Sequence, residues 1–149
     1  MEIILAWIGI ALLTGCSFVA SALAVTICGK TVVGAMKKNP DGFGAYIVLT
    51  ALPSTQGLYG FVAYIMLQQY LVPEITWLQA WAILLIGIMV AVTGLYASLR
   101  QADVCANGIT AIGAGHNVLA ATMVMAVFPE LYSILALLVA ILVSGSIAI

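Results

Sequence analysis

Four long apolar stretches, at about 3–36, 43–69, 75–112 and 117–147, leave this chain few folds to choose from. Each exceeds the ~20 residues that a helix needs to cross the hydrocarbon core of a bilayer. A segment in lipid must satisfy its own backbone hydrogen bonds, which admits helices or closed barrels. The short alternating segments of a barrel are absent. Only 6% of the 149 residues are charged and 65% are hydrophobic, against roughly a quarter charged in soluble domains. The expected fold is an all-α membrane protein with four transmembrane helices.

The first stretch is too long for the core of a signal peptide and follows Met1 and Glu2 with no basic flank, so it is expected to be a permanent span. Cys16, Cys28 and Cys105 fall within helices without metal-ligand spacing and read as small apolar fillers. No basic run points to nucleic acid. Lys37 and Lys38 lie in the first break, and Lys30 and Arg100 are expected near the ends of helices 1 and 3 that face the same side. Glu2 and Glu74 fall on the opposite side. The positive-inside rule then makes the 1–2 and 3–4 turns cytoplasmic and puts both termini outside, in the cell membrane.

A shift of 74 residues superposes helices 1–2 on helices 3–4 with weak identity but shared character. Gly34 falls on Gly108, and Ala20, Ala24 and Cys28 fall on Gly94, Ser98 and Ala102, with Ala106 extending the second copy. Small residues at every fourth position let helix backbones approach closely in lipid. The expected organisation is one membrane domain, 1–149, made of a tandem parallel repeat of a helical hairpin, 1–74 and 75–149. Under the same shift Gln56 falls on Glu130.

Glu130 is the one acidic residue deep in a span, about fourteen residues or ~21 Å past the second cytoplasmic turn. A carboxylate at the centre of a membrane helix costs ~2.5–3.5 kcal/mol on insertion scales, and such residues mark ion or proton paths. Gln56 and Gln101 fall at a similar depth. Leu52, Thr55, Gln56 and Tyr59, in "LPSTQGLYGF", are spaced i, i+3, i+4, i+7 and share one helix face. Pro53 cannot donate to Leu49 and should bend the helix, making nearby carbonyls available. Hydroxyl, amide oxygen, carbonyl and carboxylate are hard ligands that suit a small hard cation. A proton carrier needs only the carboxylate. Asp103 lies within a turn of Arg100 and reads as its intrahelical partner. His116 reads as a solvated turn residue.

"LPSTQGLYGF", the duplicated hairpin, Gln101 and "ELYSIL" together resemble the proteolipid (c or K) subunit of the membrane rotor ring of prokaryotic V/A-type rotary ATPases. The resemblance covers essentially the whole chain and its specific part is the helix-2 motif. For a sodium-translocating member it implies Na⁺ held by the Leu52 main-chain carbonyl, Thr55, Gln56, Gln101 and Glu130, with Tyr59 capping the carboxylate. Pro129 departs from the pattern, since a residue with a backbone donor is expected there. The resemblance further implies identical subunits in a ring, a stator subunit presenting an Arg, central-stalk subunits at the cytoplasmic loops, and lipid. It implies no catalysis by the chain alone and no organic cofactor. The same rotor coupled to H⁺ instead of Na⁺ is the nearest alternative. A small four-helix multidrug exporter is a distant one.

Overall fold

The computed structural model describes residues 1–147; the last two residues of the expected second unit, 148–149, lie outside the described residues. Every regular element among the described residues is helical. Helix α1 (Glu2–Met36) makes the first crossing, α4 (Trp77–Gly113) the third and α5 (Leu119–Ser146) the fourth, and each is long and apolar enough to span a bilayer. The second crossing is assembled from shorter pieces. Helix α2 (Phe43–Ala51) runs into a 3₁₀ turn at Leu52–Ser54, continues as α3 (Thr55–Leu67) and closes with a second 3₁₀ turn at Gln68–Tyr70. The chain is a tandem pair of helical hairpins.

The interruption at Leu52–Ser54 follows from Pro53, which has no N–H to give and whose ring crowds the preceding turn. Backbone groups at and after the interruption pair with serines from the neighbouring long helices. Ser21 Oγ accepts the backbone N–H of Gly57 at 2.7 Å and faces the carbonyls of Pro53 and Ser54 at 3.3 and 3.2 Å. Ser98 Oγ stands 3.4 Å from the Pro53 carbonyl and 3.2 Å from that of Ala20. In a bilayer no water is at hand to do this work, so the serines are what makes the break tolerable. Pro129 leaves α5 an uninterrupted α-helix.

α1 and α4 run parallel and touch along the small-residue stripe. Ala20, Ala24, Cys28, Gly94, Ser98 and Ala102 are all buried, and Cys28 Sγ lies 3.7 Å from the Ala102 carbonyl. The closest approach is at Gly9 and Gly87. A Cβ on Gly9 would lie 2.6 Å from the Ile83 carbonyl, and one on Gly87 would strike the backbone of Gly9. Here glycine is required by backbone contact. One apolar cluster, with Leu13, Leu67 and Ile83, fills the end near the termini; another, with Tyr46, Leu49 and Ile109, fills the end near the 1–2 and 3–4 turns. Those two turns lie together, tied by the Asn39 side-chain amide donating to the Ile112 carbonyl at 2.9 Å. Gly115, with φ of +91°, ends the second hairpin's first helix in the left-handed conformation that glycine adopts freely.

Candidate ion-binding site

Between the two apolar clusters the polar side chains meet. α5 carries Glu130, which is 8% exposed, and two other helices, α3 and α4, converge on its carboxylate. Thr55 Oγ1 and Tyr59 O–H, one turn apart on α3, lie 2.8 and 2.7 Å from Oε1. Gln101 Nε2, from α4, donates to Oε2 at 3.1 Å and to the Ala126 carbonyl at 3.1 Å. Gln56 Nε2 in turn donates to Gln101 Oε1 at 3.2 Å. The Leu52 carbonyl closes the group 3.0 Å from Thr55 Oγ1. All six residues expected from the sequence therefore lie together.

Two features bear on what this group can hold. Both carboxylate oxygens face hydrogen-bonding side chains, so the carboxylate is held in one orientation. Gln56 Oε1 is buried and has no hydrogen-bond partner among the described residues. Leaving a buried acceptor unpaired costs about 1–3 kcal/mol, so such an oxygen in a native structure calls for an explanation. A cation ligated by that oxygen supplies one. The donor set, carboxylate, hydroxyl, two amide oxygens and a main-chain carbonyl, is all hard oxygen and fits a small hard cation. Among the described residues no cluster of three His, Cys, Asp or Glu side chains occurs.

The four residues that share a helix face in the sequence divide their work. Thr55 and Tyr59 address Glu130 directly, while Gln56 is 1% exposed and reaches it through Gln101, itself fully buried. At the break, serines engage the carbonyls of Pro53 and Ser54, while the Leu52 carbonyl accepts the Thr55 backbone N–H. Ser21, Ser98 and the Ala126 carbonyl are absent from the expected site. A serine on or beside the small-residue stripe of each long helix, opposite a proline in the next span, is the signal that points to the first two.

Arg100 requires a correction. It lies about 20 Å before the Gly113 end of α4 at 1.5 Å rise per residue, at the depth of the site and not near the helix end. Its guanidinium pairs with Asp103 at 3.1 Å, as expected, and stacks 5.0 Å over the Tyr96 ring. Glu130 is not its partner.

A sequence model of the family described as the C subunit of ATP synthase matches residues 8–67 and, a second time, residues 84–143. The chain belongs to this ATP synthase proteolipid family. It is 32% identical over 140 residues to the A-type ATP synthase subunit K of Methanocaldococcus jannaschii, covering 94% of this chain and 61% of that one. It is 29% identical over 126 residues to the V-type sodium ATPase subunit K of Enterococcus hirae, covering 85% of this chain and 81% of that one. The chain thus spans about three fifths of the archaeal relative's length and about four fifths of the bacterial one's. The two family matches start and end 76 residues apart, and 76 replaces the offset of 74 read from the small-residue stripe. Under it Pro53 falls on Pro129 and Ser54, not Gln56, on Glu130. The two prolines are thereby equivalent positions of one hairpin plan.

Proposed function

We propose that this chain is the ion-carrying subunit of a V/A-type rotor ring and that the ion is Na⁺. Glu130, ionised, holds Na⁺ together with Thr55, Gln56, Gln101 and the Leu52 carbonyl, and Tyr59 caps the carboxylate. The observation that carries the reading is the buried, unpartnered Gln56 Oε1 beside a carboxylate held by Gln101 and two hydroxyls. A proton carrier has no use for a second glutamine whose oxygen lacks a donor. The sodium ATPase subunit among the relatives supports the same choice.

The chemistry is ion exchange without bond making. A bare carboxylate is too costly to carry past lipid, whereas the ion pair is neutral and already surrounded by its ligands. The loaded site can turn through the bilayer, and the empty one must meet a counter-charge, an Arg of a stator subunit. The single membrane domain, 1–149, is two hairpin units divided near 74–75. Its 1–2 and 3–4 turns face the cytoplasm and the central stalk, with lipid around and within the ring. Lys30, Lys37 and Lys38 support that orientation, all exposed towards one end. The subunit hydrolyses nothing itself; ATP hydrolysis belongs to partner subunits and reaches this chain as rotation.

A hydrophobic carbodiimide tests the ion, because it reacts with protonated Glu130 and is excluded by a bound cation. Membranes containing the chain are titrated with Na⁺ at near-neutral pH, with K⁺ at equal ionic strength as control. Na⁺ is expected to protect Glu130 and K⁺ to leave it reactive. Protection by rising pH alone, with none from Na⁺, would make the carried ion H⁺.

A further inference from the structure

The exposed face of α4 changes character part-way along the helix. Between Trp81 and Tyr96 its exposed residues are Trp81, Leu85, Ile88, Val92 and Tyr96, each apolar or aromatic. From Ala97 to Gly113 they are Arg100, Asp103, Asn107 and Thr110, all polar. Both sets keep the three- and four-residue steps of a single helix face. The switch falls at Arg100, beside Gln101 and so at the depth of Glu130. The bilayer does not end there. Gly108 packs against Thr122 of α5, and Ile112 lies beside Gly42, just ahead of α2. At these levels α5 still exposes Met123, Val124 and Val127, and α2 exposes Phe43 and Ile47. One side of the chain stays apolar at the depth where α4 is polar.

Polar groups at such a depth face water or protein, not lipid. The chemistry of this stripe favours water. Asn107 Nδ2 donates to the Asp103 carbonyl at 2.8 Å, and Thr110 Oγ1 to that of Ala106 at 2.9 Å. Each spends a donor on its own helix and keeps an oxygen for the outside. Arg100 and Asp103 neutralise each other at 3.1 Å, yet their side chains stay 58% and 53% exposed. Outward oxygens with no net charge can pass a small cation without trapping it. The stripe also leads somewhere at both ends. Thr110 shares a cleft of about 290 Å³ with Lys30, Thr31 and Lys38, near the 1–2 turn. Arg100 shares a groove of about 530 Å³ with Pro129, the residue before Glu130.

We infer that the Arg100–Thr110 face of α4 lines a water-filled cleft in the chain's own surface, along which a hydrated cation moves between the 3–4 turn and the depth of Glu130. The inference rests on the ion-carrier reading above and adds a path to the site and the side from which it opens. The cleft is blind. Beyond Arg100 the same face is apolar, so water that enters at the turn end, placed above in the cytoplasm, stops at the site. Arg100 stands at the inner end, tied to Asp103 and stacked 5.0 Å over the Tyr96 ring.

Two labelling experiments on the assembled complex, in vesicles with the cytoplasmic face outwards and without ATP, test the cleft and the path. The first uses a background of Cys16→Ala, Cys28→Ala and Cys105→Ala and a membrane-impermeant trimethylammonium thiosulfonate. N107C and T110C are expected to react, and L85C and I88C, on the apolar half of the same face, to stay unmodified. An inert N107C puts protein or lipid over the stripe and overturns the cleft. The second uses a water-soluble carbodiimide in Na⁺-free buffer, read as the intact mass of the chain. Glu130 is expected to be modified in most chains, and far more slowly when the reagent meets only the opposite face. Asn107→Leu with Thr110→Leu is expected to slow the soluble reagent about tenfold. A hydrophobic carbodiimide, which arrives through lipid, is expected to keep its rate in that variant. An unchanged rate for the soluble reagent overturns the path. If the leucine pair slows that reagent but Na⁺ protects Glu130 from neither carbodiimide, the cleft stands and the carried ion is H⁺.

Discussion

Two hydroxyls face one oxygen of Glu130 and one amide faces the other, so the residues around the carboxylate have separable roles. Tyr59 donates to Oε1 at 2.7 Å. A hydrogen bond to a charged group is worth about 1.5–3 kcal/mol, and the half-exposed position of Tyr59 argues for the lower end. Tyr59→Phe is therefore expected to raise the Na⁺ concentration for half-protection of Glu130 roughly tenfold, at 1.4 kcal/mol per tenfold. An unchanged midpoint in the carbodiimide titration would remove Tyr59 from the site. Gln56 is the sharper case, because its buried oxygen has no hydrogen-bond partner among the described residues. Gln56→Leu deletes a ligand while keeping an apolar side chain of similar volume in a closed space. Its expected signature is a loss of Na⁺ protection by more than about tenfold with carbodiimide reactivity in Na⁺-free buffer retained. Retained protection would show that the orphan oxygen serves no ion.

At the scale of elements, the decisive feature is a broken helix held by the helices beside it. The break was legible: Pro53 announces it, and the i, i+3, i+4, i+7 spacing of Leu52, Thr55, Gln56 and Tyr59 survives across the 3₁₀ turn. What holds the break was not, because Ser98 reads as a member of a packing stripe and Ser21 carries no signal of its own until Pro53 is placed between them. The offset of the repeat failed for a related reason. Small residues recur every fourth position, so a stripe can slide along itself and still match, whereas Pro53 over Pro129 fixes the register at 76. Arg100 is expected near a helix end although its neighbour Gln101 is expected at the depth of Glu130, and the length of α4 places both at that depth. Ser21→Ala tests the clamp. It leaves the Gly57 N–H without its acceptor in a span where water cannot replace it, at a cost of about 1–3 kcal/mol. The purified protein is expected to unfold at lower temperature, and Ser21→Thr, which keeps the hydroxyl, to lie between the two. A melting temperature equal to that of the parent would mean that Gly57 needs no side-chain partner.

Across the whole molecule, two hairpins of one plan carry a single carboxylate that lies at site depth without a cationic partner among the described residues. Under the 76-residue offset the first hairpin has Ser54 where the second has Glu130, so it contributes Thr55, Gln56 and Tyr59 to the site of the second but no charge of its own. The remaining carboxylates do not qualify as carriers. Glu2 lies beside the N-terminal ammonium at 2.9 Å, Glu74 and Asp41 are in connecting segments, and Asp103 pairs with Arg100. A ring of such chains has one ion per four helices. At a fixed number of ATP per turn, fewer ions per turn means that each ATP can drive its ion against a steeper gradient, which suits a pump better than a synthase. The count can be read directly. Exhaustive carbodiimide treatment in Na⁺-free buffer is expected to add a single adduct to the intact mass of each chain, at Glu130, and Na⁺ is expected to prevent it. Two Na⁺-sensitive adducts per chain would place a second carrier in the first hairpin and undo the argument for a coarse-geared rotor.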